Sequence, residues 1–378
     1  MNAGVYLDHC ATSPLRPEAR AAMAAAFDVT GNPSSVHASG RAARARLEEA
    51  RARVAILAGA SPASVTFTSG GTEANVLAIR SAVAAGARRL LISAIEHDCV
   101  REAALASGVE TVEVPVRPEG IIDLGALEAL LDAPSAAGGP VFLALMAANN
   151  ETGVIQPTRE AAERVRAAGG WLHVDAVQAA GRTPVELDVL GADSLALSAH
   201  KLGGPQGIGA LVAGPRTRIF RDMPGGGQEQ GRRAGTQNLI GAAGFGAAVE
   251  AALASPRPGP GARDVAAAAF ADAGALVVGA TAPRLDDVLC IATPDLPSEI
   301  QVMGLDLAGV QVSAGAACSS GKVRPSRVLE AMGLGDLAGC AIRLSGGWST
   351  RSEDWRIAVE TWIDLKTRRQ SRRHPAAA

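Results

Sequence analysis

The chain is predicted to be α/β: a mostly parallel central sheet covered by helices, followed by a smaller α+β domain at the C-terminal end. From about residue 64 to residue 213, apolar runs of strand length alternate with helical runs. That order builds a parallel sheet, because parallel neighbours need crossover helices. Beyond it, Ser255-Pro-Arg-Pro-Gly-Pro-Gly261 breaks all regular structure, and fewer elements follow.

The elements can be justified in order. Tyr6-Leu-Asp-His-Cys-Ala-Thr-Ser-Pro14 reads as a short strand and turn. A helix is expected from Pro17 to Phe27, since proline suits a first helical turn. The loop Gly31-Asn-Pro-Ser-Ser35 precedes a long helix over Ser39–Ala58. Strands are expected at Ser64–Thr68, Arg89–Ser93, Val109–Val114, Val141–Met146, Trp171–Asp175, Ser194–Ser198 and Ile208–Ala213. Helices are expected between them at Ala74–Ala85, Leu124–Leu131 and Thr158–Ala168, with Gly241–Leu253 leading out of the sheet. The expected division is a large domain over 15–254 and a small one made of 1–14 plus 262–365. The arginine-rich end, 366–378, reads as a disordered tail.

Composition narrows the function. The 378 residues are 48% hydrophobic, with net charge -2 and only 3% aromatic residues, so neither a basic field nor stacking platforms point to nucleic acid. No apolar run approaches the ~18 residues of a membrane span. The start lacks the basic and apolar regions of a signal peptide. The five cysteines include no Cys-x-x-Cys pair, which argues against a disulfide framework or structural zinc and for a reducing cytoplasm.

Three stretches carry chemistry. In Leu197-Ser-Ala-His-Lys-Leu-Gly-Gly-Pro-Gln-Gly-Ile-Gly209 a strand runs into His200 and Lys201, and glycines and Pro205 stop it there. This presents Lys201 at the carboxyl edge, where open α/β sheets bind ligands, and apolar surroundings can keep an amine neutral and nucleophilic. Ser69-Gly-Gly-Thr-Glu73 joins a strand to a helix start, which is either a phosphate site or an ordinary helix cap. In Val174-Asp-Ala-Val-Gln178, Asp175 ends a strand, where a carboxylate can pair with a buried cation such as a pyridinium nitrogen. His173 lies on the same strand face, but no third metal ligand stands at recognisable spacing. A lysine, an aspartate and a phosphate-accepting helix end, all at strand termini of one sheet, are what pyridoxal phosphate requires.

At the level of whole motifs, the chain resembles the cysteine desulfurases of the NifS/IscS type, which are class-V, fold-type I pyridoxal-phosphate enzymes. The resemblance runs from Tyr6 to about Glu360 through Gly31-Asn-Pro-Ser-Ser-Val-His37, Glu96-His97, Asn149-Asn-Glu-Thr-Gly153, Ser198-Ala-His-Lys201, Arg232-Arg-Ala-Gly-Thr236, Ser313-Ala-Gly-Ala-Ala-Cys-Ser-Ser320 and Ile342-Arg-Leu-Ser345, besides the stretches above. It implies that Lys201 bonds the cofactor and moves the Cα proton, while His97 stacks on the ring and shuttles protons. Asp175 would pair with the ring nitrogen, with Asn150 and Gln178 near the phenolic oxygen. Gly71, Thr72, Ser198 and His200 would hold the phosphate, and Thr236 would reach the phosphate of a second subunit in a homodimer. Arg343 would clamp the substrate carboxylate, with Asn150 beside it, and Cys318 would take the sulfur.

Cys318 also stands out by itself, in a run of small residues with Lys322 and Arg324 near to favour the thiolate. The other four cysteines read as buried and structural. The resemblance implies a cytoplasmic enzyme that makes L-alanine from L-cysteine and passes sulfur to an iron–sulfur scaffold or a tRNA-thiolation factor. Alternatives are a selenocysteine lyase or small-substrate aminotransferase of the same fold, and a non-catalytic assembly partner. Departures from the family pattern are Cys10, Asp286-Asp287, a shortened segment over 261–278 and a missing C-terminal extension.

Overall fold

The computed structural model of the chain describes residues 4–133, 138–255, 260–315 and 325–373. In chain order the elements are β1 (Val5–Tyr6), α1 (Pro17–Phe27), α2 (Ala38–Leu57), β2 (Val65–Thr68), α3 (Gly71–Ala84), β3 (Arg89–Ser93), α4 (Asp98–Leu105), β4 (Glu110–Val114), α5 (Leu124–Asp132), β5 (Val141–Met146), α6 (Thr158–Ala167), β6 (Trp171–Asp175), α7 (Leu187–Leu190), β7 (Ser194–Ser198), β8 (Gly209–Ala213) and α8 (Leu239–Ala254). After the break come α9 (Gly261–Asp272), β9 (Leu276–Val277), β10 (Val288–Ala292), α10 (Ser298–Leu307), β11 (Val310–Gln311), β12 (Ser313–Ala314), α11 (Arg327–Ala331), β13 (Ala341–Ser345) and α12 (Ser352–Arg373).

Seven strands form the main sheet in the order β2-β8-β7-β6-β5-β3-β4. All neighbours from β4 through to β7 are parallel, and only β8 runs against its neighbours β7 and β2. Strands β5 and β7 are buried along their whole length, because helices cover both sheet faces, and so they read as unbroken apolar runs. The two edges are closed differently. Edge strand β4 carries Glu110 and Glu113, charges that discourage pairing with another chain. Edge strand β2 is buried: Arg51 Nη1 donates to Val65 O at 3.0 Å, and Phe67 N donates to Glu229 at 2.8 Å. Arg51 and Glu229 complete that closure by pairing with each other at 2.6 and 2.8 Å. Helices α1, α2 and α8 pack together; a Cβ on Gly246 would sit 2.9 Å from Ala50 Cα, so glycine there permits the close approach.

A second, antiparallel sheet has the order β12-β13-β10-β9, and β1 pairs in parallel with β11. Its separate core is built around Phe270 and Trp362, whose rings meet edge-on at 5.2 Å. Helix α12 corrects the expectation of a disordered tail from 366, because it continues to Arg373. Lys366 lies 5.4 Å from the Trp362 ring centre, and Asp364 faces Arg368 one turn on at 3.9 Å. Residues 374–378 lie outside the described part.

The N-terminal segment ties the two sheets together. Asp8 bridges to Ser345 beside β1, and then Ser13 N donates to His200 O at 2.8 Å and Arg16 N to Gly203 O at 2.9 Å. The segment thus crosses directly over the loop that follows β7.

Candidate active site

A cleft of about 260 Å³ opens at the carboxyl ends of β6 and β7. Its walls include Gly71, Thr72, His97, Asn150, Asp175, Gln178, Ser198, His200 and Lys201, so residues far apart in the sequence converge on one cleft. The position follows from the fold, since parallel strands deliver their C-terminal residues to one edge.

Lys201 sits in the short turn that ends β7. Its amine donates to Cys10 O at 2.6 Å and to Ala11 O at 2.9 Å. Burial, with Arg343 and Arg182 adding to it against Cys10 and Asp8, lowers the amine to about 8. Beside it, burial and the Lys201 charge lower His200 to about 4, so its ring is neutral at pH 7. His200 Nδ1 lies 3.2 Å from Thr12 Oγ1.

On the opposite wall, both oxygens of Asp175 are fixed. Oδ1 accepts from Val177 N at 2.9 Å and Oδ2 from Asn75 Nδ2 at 2.8 Å. The two ring nitrogens of His173 lie 2.8 Å from Ser194 Oγ and 2.8 Å from Asn75 Oδ1. Both are committed to the protein.

Helix α3 begins at Gly71 with no side-chain cap, leaving first-turn N–H groups open to an anion. The glycine pair therefore does not provide an ordinary side-chain helix cap. A Cβ on Gly71 would stand 2.7 Å from Val177 Cγ2 and 3.5 Å from Ser198 Cβ, closing the cradle. Gln178 Nε2 donates to Cys10 O at 3.0 Å, while its Oε1 is buried without a partner on the cleft wall. His97 caps α4, with Nδ1 accepting from Cys99 N at 3.1 Å.

Pyridoxal phosphate fits these residues: a nucleophilic amine, a fixed carboxylate, an uncapped helix end with room beside it, and an orphaned buried amide oxygen. Two expected residues stand elsewhere. Arg343 is buried outside the cleft lining; Nη2 donates to Asp8 Oδ1 at 2.7 Å and Nη1 to Asn150 O at 2.9 Å, and Nε has no partner. Thr236 is exposed and away from this chain's cleft. Cys318, with Lys322 and Arg324, lies outside the described residues.

Sequence reasoning missed Asn75 and misjudged Cys99. Asn75 follows Gly71 by four residues and so shares its face of α3; an asparagine among alanines and leucines was the available signal. Cys99 lines the cleft and is not merely structural, yet burial first and Asp175 second push its thiol up to about 12, so it is no thiolate.

The fold and the cleft together define a fold-type I enzyme that works with pyridoxal phosphate. More particularly, the chain belongs to the aminotransferase class-V family, whose profile matches residues 5–355. It is 40% identical to a cysteine desulfurase of Cereibacter sphaeroides, covering 92% of each chain. It is 36% identical to the cysteine desulfurase IscS of Dictyoglomus turgidum, covering 95% of this chain and 94% of the other. A NifS-like protein from Rickettsia africae superposes with a TM-score of 0.87 at 29% identity, covering 96% of this chain and 99% of that one.

Proposed function

We propose that this protein is a cysteine desulfurase: it converts L-cysteine to L-alanine, placing the sulfur first on Cys318 and then on an acceptor protein. The observation that carries the reading is the Lys201 amine, lowered to about 8 inside the cleft that also holds Asp175 and the open end of α3. The relatives named cysteine desulfurase support the choice of substrate.

Pyridoxal phosphate, when bound, supplies an electron sink for the carbanion formed at the substrate Cα. The protein's own residues do the rest. The first turn of α3, with Gly71, Thr72, Ser198 and His200, would hold the phosphate, and Asp175 would pair with the ring nitrogen. Gln178 and Asn150 would serve the phenolic oxygen, and His97 would cover the ring. Lys201 would take the Cα proton of the substrate and later return a proton to that carbon, and Arg343 would receive the substrate carboxylate through its planar fork. The Cys318 thiolate then attacks the substrate sulfur. One S–S bond forms as the Cβ–S bond breaks, and the electron pair left on the three-carbon fragment is protonated to give alanine. Cysteine plus thiol thus becomes alanine plus persulfide, with no external oxidant or reductant.

Thr236, exposed and outside its own cleft, is assigned to the phosphate site of a second copy, which makes the enzyme a homodimer with shared sites. The same reading divides the chain into a large domain over 15–254 and a small one of 1–14 plus 262–365. The acceptor is an iron–sulfur scaffold or a tRNA-thiolation factor, and the compartment is the cytoplasm. Among the described residues no helix is long and apolar enough to cross a membrane.

Two variants test the assignment. Lys201→Ala is expected to lose both the cofactor's visible absorbance and alanine release, whereas Cys318→Ser keeps the absorbance and loses alanine release. Alanine and sulfide at the full rate from Cys318→Ser would remove Cys318 from the mechanism. Faster turnover of selenocysteine, or a requirement for a keto acid, would redirect the reading to another reaction of the fold.

A further inference from the structure

Behind Asp175, three polar side chains are joined to it in a line that runs across the sheet. Ser194 on β7 meets His173 on β6, His173 meets Asn75 on α3, and Asn75 meets Asp175, each link being 2.8 Å. Ser194, His173 and Asn75 are at most 1% exposed, in a region otherwise filled by apolar side chains. Buried polar groups of this kind cost stability unless bonded, and an apolar side chain at 173 would serve the core equally well.

The carboxylate fixes the direction of every link. Asp175 Oδ2 accepts only, so Asn75 must turn its Nδ2 towards it, and its Oδ1 then faces His173. Facing an oxygen, His173 Nε2 must carry the proton. Burial lowers His173 to about 3, so the ring is neutral and Nδ1 is left as an acceptor for the Ser194 hydroxyl. All three donors therefore point the same way, and each polarises the next. The remaining oxygen, Oδ1, is held by Val177 N.

We infer that Ser194, His173 and Asn75 are positioning residues that act as a one-directional relay, holding Asp175 fixed and turned towards the ring nitrogen of the cofactor. The relay rests on the reading of Asp175 given above. Its purpose is to fix the carboxylate by hydrogen bonds so that the ring nitrogen can supply its positive partner; among the described residues Asp175 forms no salt bridge. Burial first and the Asp175 charge second raise Glu96 well above its usual range.

The test compares two ligands on the full-length protein after cofactor removal: pyridoxal phosphate, and its analogue with carbon in place of the ring nitrogen. Dissociation constants are read by absorbance titration for the parent protein, His173→Phe, His173→Gln, Ser194→Ala and Asp175→Ala. His173→Phe is expected to weaken pyridoxal phosphate roughly ten-fold while changing the carbon analogue by less than about two-fold. His173→Gln, which restores an N–H towards Asn75, recovers most of the loss. Ser194→Ala, at the far end and the mildest change to packing, gives a smaller loss with the same selectivity for the natural ligand. Equal weakening of both ligands by His173→Phe and Ser194→Ala, or no weakening of either, overturns the relay. If Asp175→Ala itself fails to separate the two ligands, the reading of Asp175 falls and the relay with it; selective loss in Asp175→Ala alone rejects only the relay.

Discussion

Asp175 and Arg343 are both nearly buried charges, and they are held in opposite ways. Asp175 has both oxygens fixed by groups on rigid elements, α3 and the turn after β6, and among the described residues it forms no salt bridge. Arg343, on β13 of the smaller sheet, is tied to a carboxylate, Asp8, at 2.7 Å, with Nε left unpartnered. On the proposed reading, one is finished and would take a cation, while the other is occupied and would have to change partners to receive an anion. The difference suits a cofactor that stays and a substrate that comes and goes. It also places preorganisation on the large sheet and exchange on the small one.

Removing the finished group has the largest expected effect. Asp175→Ala should lower kcat by about 10²–10³, the range found for losing one preorganised electrostatic contact, with little change in KM. A kcat within a factor of three of the parent would break the comparison at its rigid end. Arg343→Ala should instead raise KM for cysteine roughly 30-fold, because charge-assisted hydrogen bonds are worth about 2 kcal/mol, and leave the cofactor's absorbance unchanged. Lost absorbance in that variant would mean that Arg343 serves the cofactor.

The Lys201 amine lies between the two regions, and its pH dependence follows in sign. Its folded value of about 8 lies below the ordinary 10.5. In the cofactor-free protein its contribution to stability is therefore fully present above 10.5 and lost as pH falls through 8. Cofactor uptake needs the neutral amine, so the rate should climb roughly ten-fold per pH unit below the midpoint and level off above it. Because Arg343 helps to lower the amine, Arg343→Ala should move that midpoint upwards; a midpoint near 10.5 in the parent protein would contradict the burial argument. The smallest effect belongs to Asp8→Asn. Freeing Arg343 from its rival should lower KM for cysteine by roughly three-fold, as expected for a partly exposed pair, and a raised KM would show that Asp8 aids binding.

Much of this was legible in the sequence where local chemistry decides the outcome. Pro17 fixes the start of α1, and the β-branched and apolar runs at 89–93, 141–146, 171–175 and 194–198 fix four strands to the residue. Helix α4 escaped because its cap is the imidazole of His97, not a serine or aspartate. The end of α12 escaped because arginines suggested solvent, while Lys366 over Trp362 and Asp364 facing Arg368 are visible only once the helix is laid down. In the cleft, the residues at strand ends were readable from motif position. Asn75 was not, since its meaning depends on His173 and Asp175, about one hundred positions away. The Asp8 partner of Arg343 was hidden for the same reason.

The lysine amine rests on the carbonyl oxygens of Cys10 and Ala11, atoms that every amino acid carries. What the contact demands is the path of the chain at 10 and 11, not the identity of the residues there. A cysteine can therefore stand at position 10 without disturbing the resting place of the nucleophile. Deleting the first dozen residues, by contrast, would strip away both acceptors at once, however faithfully the rest of the protein folded.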